Sequence, residues 1–182
     1  MANSIILTAS SLLPFVLSLL FFHHVVPMHA ASQNNVVSII CQRTGNPPFC
    51  SNLLKSARTT DLKGLATFTL NLARTNATKS RALAQFLALK AADPKLKERY
   101  ASCAEHYDDA AGDLDDAKNY LATGDYNGVN IQASGAMTET DDCQDNFTQS
   151  PMDGSGLSKN GKALEDICSI ILVIANILLG RV

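Results

Sequence analysis

Four of the five cysteines in this 182-residue chain stand symmetrically about turn signals, and no other feature restricts the available folds as strongly. Cys41 and Cys50 lie four residues either side of Gly45-Asn46. Cys103 and Cys143 lie twenty residues either side of Thr123, in the run Thr123-Gly124-Asp125. Two antiparallel helices meeting at that turn bring both sulfurs to one height, about 30 Å from the loop. Sequence rarely selects among the pairings open to five cysteines. Here symmetry favours Cys41 with Cys50 and Cys103 with Cys143, and leaves Cys168 as a free thiol.

Bridges persist where thiols are not kept reduced, and the N-terminus supplies a route to such a place. The apolar stretch Leu12 to Phe22 precedes Met28-His29-Ala30-Ala31, which reads as a secretory leader over residues 1–31 with small residues at its cleavage site. Pro14 and the histidines interrupt the stretch, which argues against a membrane anchor. The leader holds no Lys, Arg, Asp or Glu, so the net charge of −2 belongs to residues 32–182, a single domain. A nearly neutral domain is not built for nucleic acid.

Helical punctuation recurs along that domain, and strand-like alternation does not. Val36 to Arg43 and Pro48 to Arg58 read as two short helices joined at Gly45-Asn46-Pro47-Pro48, a stapled hairpin. Asp61 is placed to cap a helix from Leu62 to Ala91, whose apolar stripe Leu65, Phe68, Leu72 resumes at Leu83, Phe86, Leu87. The polar insert from Arg74 to Ser80 leaves a kink or an exposed segment open at its middle. Asp93-Pro94 starts a third long helix to about Ala122. A fourth runs from Asp125 to about Phe147, through the small residues Ala133-Ser134-Gly135-Ala136 that permit close helix approach. After a loop rich in Ser, Gly and Asp comes a last helix, apolar around most of its circumference, with Lys162, Glu165, Asp166, Ser169 and Asn176 on one stripe. Such a helix belongs in a core, and its apolar run is too short to span a bilayer. The expected fold is all-α: an up-down-up-down four-helix bundle with an N-terminal disulfide-stapled helical hairpin.

Catalytic chemistry is poorly provided for. His23, His24 and His29 leave with the leader, and His106 has no Ser or Cys motif around it to serve as base. No catalytic residue, cofactor or metal ligand set is read. The acidic run from Glu105 to Asp116 lacks the loop spacing and glycine of a calcium site. Within it Glu105, Asp109, Asp113 and Asp116 share one helical face, which reads either as a solvated surface or as a partner surface that sets specificity and association rate. His106 adds a side chain that ordinarily titrates near neutrality. Asn76-Ala77-Thr78 and Asn146-Phe147-Thr148 make Asn76 and Asn146 candidate glycosylation sites.

These residues together resemble the plant invertase and pectin methylesterase inhibitor family over essentially the whole secreted domain. Cys41 to Cys50 looks like its first cysteine pair, Cys103 and Cys143 like its second, and Cys168 like its unpaired thiol. The runs DLKGL at Asp61, ADPKLKERYASC ending at Cys103, TGDYN at Thr123 and LEDICSIILVIAN at Leu164 look closest to the pectin methylesterase branch. Some invertase inhibitors carry Pro-Lys-Phe after the Gly-Asp pair, where this chain has Tyr126-Asn127-Gly128. The resemblance implies a secreted inhibitor, not an enzyme, that occludes the active-site cleft of pectin methylesterase. It implies partner contacts at Glu105, Asp109, Asp116, Asp125, Tyr126 and Asn127, and an acid where Gly112 stands. A monomer is expected, with a hairpin-mediated dimer as the alternative. Invertase is the alternative target, and a helical carrier of an apolar ligand is the alternative of another class.

Overall fold

The computed structural model describes residues 28–181; of the expected leader only 28–31 falls among them, so that segment otherwise lies outside the described residues. Among the described residues six helices follow one another: α1 Met28–Cys41, α2 Pro47–Leu54, α3 Leu62–Lys90, α4 Pro94–Thr123, α5 Tyr126–Asp145 and α6 Leu157–Leu178. The last four pack as α3 on α4, α4 on α5, α5 on α6 and α6 back on α3. That cycle is the square, up-down-up-down bundle expected from the sequence. The α1–α2 pair is the N-terminal hairpin, and both of its helices rest on α6.

Local signals account for the helix boundaries. Asp61 accepts from the N–H of Gly64 at 2.8 Å, and Asp93 accepts from Lys95 and Leu96 at 2.7 and 3.1 Å. Each satisfies donors that a helix start otherwise leaves unpaired. Gly124 ends α4 in the left-handed region, φ 79°, where a side chain would be strained. Asp125 then opens α5 by accepting from Gly128 N–H at 2.9 Å.

Burial follows the apolar stripes. Leu157, Leu164, Ile167, Cys168, Ile170, Ile171, Ile174 and Ala175 of α6 are buried, so it occupies the core position its composition predicts. Each large side chain removed from water in this way contributes about 1.5–3 kcal/mol. The insert in α3 produces no break: the helix runs on, and Ala73, Ala77, Ser80 and Ala84 continue its buried face with small residues. The polar stripe of α6 is partly turned inward. Asn130 Nδ2 donates to Asn176 Oδ1 at 2.9 Å, Gln144 donates to Glu165, and buried Asp166 meets Lys162 and Asn46.

The hairpin is closed by a Cys41–Cys50 disulfide, and α4 is joined to α5 by Cys103–Cys143. Between α5 and α6, Arg99 Nη1 donates to the carbonyls of Gln149 and Pro151, and the Tyr100 hydroxyl donates to Asp153 at 2.9 Å. The first turns of α4 thereby fix the loop at the opposite end from Gly124.

Candidate partner-binding face

The run from Glu105 to Asp116 on α4 holds six acids, and the neighbouring helices sort them into three groups. Asp108 pairs with Arg81 and Asp115 with Arg74, each at 2.7 Å, on the side facing α3. These half-exposed pairs hold α3 and α4 in register more than they stabilise them. Asp113 turns the other way and is half-buried against α5. Burial raises its pKa above the usual carboxylate value, and the charges of Glu139, Asp109 and Asp116 raise it further. Glu105, Asp109 and Asp116 remain, exposed on the outer ridge together with Gly112. The shared face read from spacing therefore holds for three of its four members.

The other three expected contacts sit at the α4–α5 tip. Asp125 is exposed but commits one carboxylate oxygen to capping α5. Tyr126 is half-buried, packs against the core and lies under Lys63, whose Nζ is 5.6 Å from the ring centroid. Asn127 points to solvent. From Glu105 the helix runs on to Thr123, just short of Asp125, a rise of about 27 Å. These six residues line an extended ridge ending in a tip. They do not converge on a catalytic point.

Several contributors were invisible to sequence periodicity. His106 is half-buried, and its Nδ1 stands 2.7 Å from Glu139 Oε2 across the α4–α5 seam. Helix α5 adds Asp141, Asp142 and Asp145 and contains no Lys or Arg, so this side of the bundle is acidic beyond the α4 ridge. The absence of basic residues was readable in the chain; the facing of Glu139 to His106 depends on helix pairing. On the α3 side, a groove open to solvent, about 520 Å³, is lined by Leu89, Ala101, Ala104 and Glu105 among others. An apolar carrier needs an enclosed cavity, and this groove is not one.

The remaining reactive group is withdrawn from use. Cys168 is buried on α6, and burial, with Glu165 and Asp113, pushes its thiol up to about 12. A thiol held protonated is not a nucleophile. Of the sequon residues, Asn76 is half-buried within α3, while Asn146 follows α5 and donates to Ser102 Oγ at 3.2 Å.

This helical scaffold, with its acidic ridge and two disulfides, matches the family model of the plant invertase/pectin methylesterase inhibitors over residues 35–174. The chain belongs to that family. A pectinesterase inhibitor of Actinidia deliciosa is 40% identical over 152 residues, which cover 82% of each chain. Pectinesterase inhibitor 2 of Arabidopsis thaliana is 35% identical over 88% of this chain and 93% of its own. A Platanus acerifolia protein provisionally named an invertase inhibitor is 26% identical over 91% of this chain and 98% of its own. Among solved structures, a mutant pectin methylesterase inhibitor from Arabidopsis superposes with a TM-score of 0.72 at 34% identity, covering 77% of this chain and 95% of that one. Membership places the chain among inhibitors of enzymes.

Proposed function

We propose that this protein is a secreted inhibitor of plant pectin methylesterase that binds the enzyme reversibly, one to one, and covers its active-site cleft. The observation that carries this reading is the 40% identity to a pectinesterase inhibitor over 82% of the chain, against 26% for a relative named for invertase. Tyr126-Asn127-Gly128 at the tip, in place of a Pro-Lys-Phe turn, supports the same target. Inhibition would limit pectin de-esterification in the extracellular cell wall.

The contacts assigned to this function are Glu105, Asp109 and Asp116 on the ridge, with Asp125, Tyr126 and Asn127 at the tip. Exposed carboxylates at the rim of an interface act mainly on encounter rate and choice of partner. A rigid ridge loses little entropy on docking, and the Cys103–Cys143 bridge supplies that rigidity. The hairpin rests on α6 of its own chain, which supports a monomer.

Methanol release from methylated pectin and sucrose hydrolysis, assayed with one preparation of oxidised protein, test the reading. Loss of the first activity with the second intact is expected. The triple variant Glu105→Gln, Asp109→Asn, Asp116→Asn is expected to slow association and to reduce its salt dependence. An unchanged association rate would remove the ridge from the interface.

A further inference from the structure

His106, Glu139 and Asp142 form a compact donor set that the inhibitor reading does not use. One ligand atom from each lies within 4.8 Å of the others. His106 and Glu139 are half-buried and Asp142 is exposed, so one side of the set opens to solvent. From these positions we propose that the α4–α5 seam binds a single zinc-class divalent cation through the His106 imidazole and the carboxylates of Glu139 and Asp142.

Donor chemistry selects the class of ion. An imidazole with two carboxylates suits zinc and its neighbours in the transition series. Calcium prefers six to eight oxygens, which this set does not offer. A tetrahedral zinc with ligands at about 2.0–2.2 Å places its donors about 3.3 Å apart. His106 Nδ1 and Glu139 Oε2, 2.7 Å apart without an ion, would separate to that value around one, and exposed Asp142 leaves room for a water as fourth ligand.

Charge and register point the same way. Helix α5 has no Lys or Arg, and α4 has none between Arg99 and Lys118, so no side chain of these two helices neutralises the seam at this level. Asp113 adds negative charge toward Glu139 from the same side of α4. The Cys103–Cys143 bridge lies within one turn of all three donors: His106 follows Cys103 by three residues, Asp142 directly precedes Cys143, and Glu139 precedes it by four. The bridge presents the donors in a fixed register, and a site held by its scaffold loses little entropy on binding.

The test is a competition titration with a chromophoric zinc chelator on the secreted, oxidised protein. Where mass spectrometry shows His23, His24 and His29 retained, all samples carry alanine at those positions. One equivalent of bound zinc is expected, weakened at least about tenfold by His106→Ala and by Glu139→Gln, with no calcium binding at the same concentrations. Zinc addition is also expected to shift the His106 imidazole resonances. Circular dichroism and thermal unfolding of Glu139→Gln, a shape-conserving change, check that the bundle remains intact. Equal zinc affinity in the wild type and both variants, or no saturable binding, would show an interhelical hydrogen bond only and overturn the proposal.

Discussion

Asn46 donates from Nδ2 to Asp166 Oδ2 at 2.8 Å, joining the hairpin turn to the core helix across 120 residues of chain. The same asparagine caps α2, accepting from Phe49 N–H at 3.3 Å. Asp166 is only 9% exposed and also receives Lys162 at 3.1 Å. Asp166→Ala strands the Asn46 amide and is expected to cost about 1–3 kcal/mol. The hairpin should loosen before the bundle does. Urea denaturation measures the loss, and faster proteolysis confined to the α1–α2 segment would localise it.

A buried hydroxyl gives a prediction of opposite sign. Tyr107 is fully buried, and its hydroxyl has no hydrogen-bond partner within the described protein. Burial, with the charges of Glu165 and Asp153, holds its pKa well above the ordinary tyrosine value. An unpaired buried polar group costs stability, so Tyr107→Phe is expected to be neutral or to stabilise by up to about 1 kcal/mol. Thermal unfolding decides it, and a marked loss of stability would mean that the hydroxyl has a partner.

The tip depends on a close approach. A methyl at Gly128 would overlap Cγ, Cδ1 and Cδ2 of the Tyr120 ring, atoms that cannot swing aside as a side-chain end does. Alanine in place of helical glycine gains about 1 kcal/mol, while overpacking costs about 1–3 kcal/mol. Gly128→Ala is therefore expected to destabilise the protein, read as a lower urea midpoint with an unchanged slope.

Acid should act on the bundle in two opposed stages. Asp113 has a raised pKa, chiefly from burial and then from Glu139, Asp109 and Asp116; Asp141 is raised by burial and then by Glu165. The folded state holds these protons more tightly than the unfolded chain, so their ionisation cost is present at neutral pH and disappears by the ordinary value of 3.8. Asp153 runs the other way. Burial opposes its charge, but hydrogen bonds from Ser155, Ser158 and Tyr100 outweigh burial and lower its pKa. Its contribution is present above 3.8 and lost as pH falls through the depressed folded value. Asp113→Asn should raise the melting temperature at neutral pH, with a gain that shrinks toward 3.8. A gain independent of pH would contradict this origin.

Helix boundaries were legible because their determinants are local: Asp61, Asp93, Asp125 and Gly124 act within four residues of themselves. The continuity of α3 was harder to read, since a stripe counted in large apolar residues stops where Ala73, Ala77 and Ser80 take over. The acidic ridge was readable as a period, but its division was not. Spacing cannot reveal that Arg81 and Arg74 claim Asp108 and Asp115 while Asp113 turns toward α5. His106 with Glu139 and Asn46 with Asp166 were hidden for the same reason: each pair is made by helix packing between distant parts of the chain.

The most direct test of the central claim is a titration of plant pectin methylesterase with the oxidised protein, following methanol release from methylated pectin. The account predicts a decline that breaks at one inhibitor per enzyme, with invertase activity unaffected in parallel. Full esterase activity across a panel of plant enzymes, or loss of sucrose hydrolysis in its place, would contradict it.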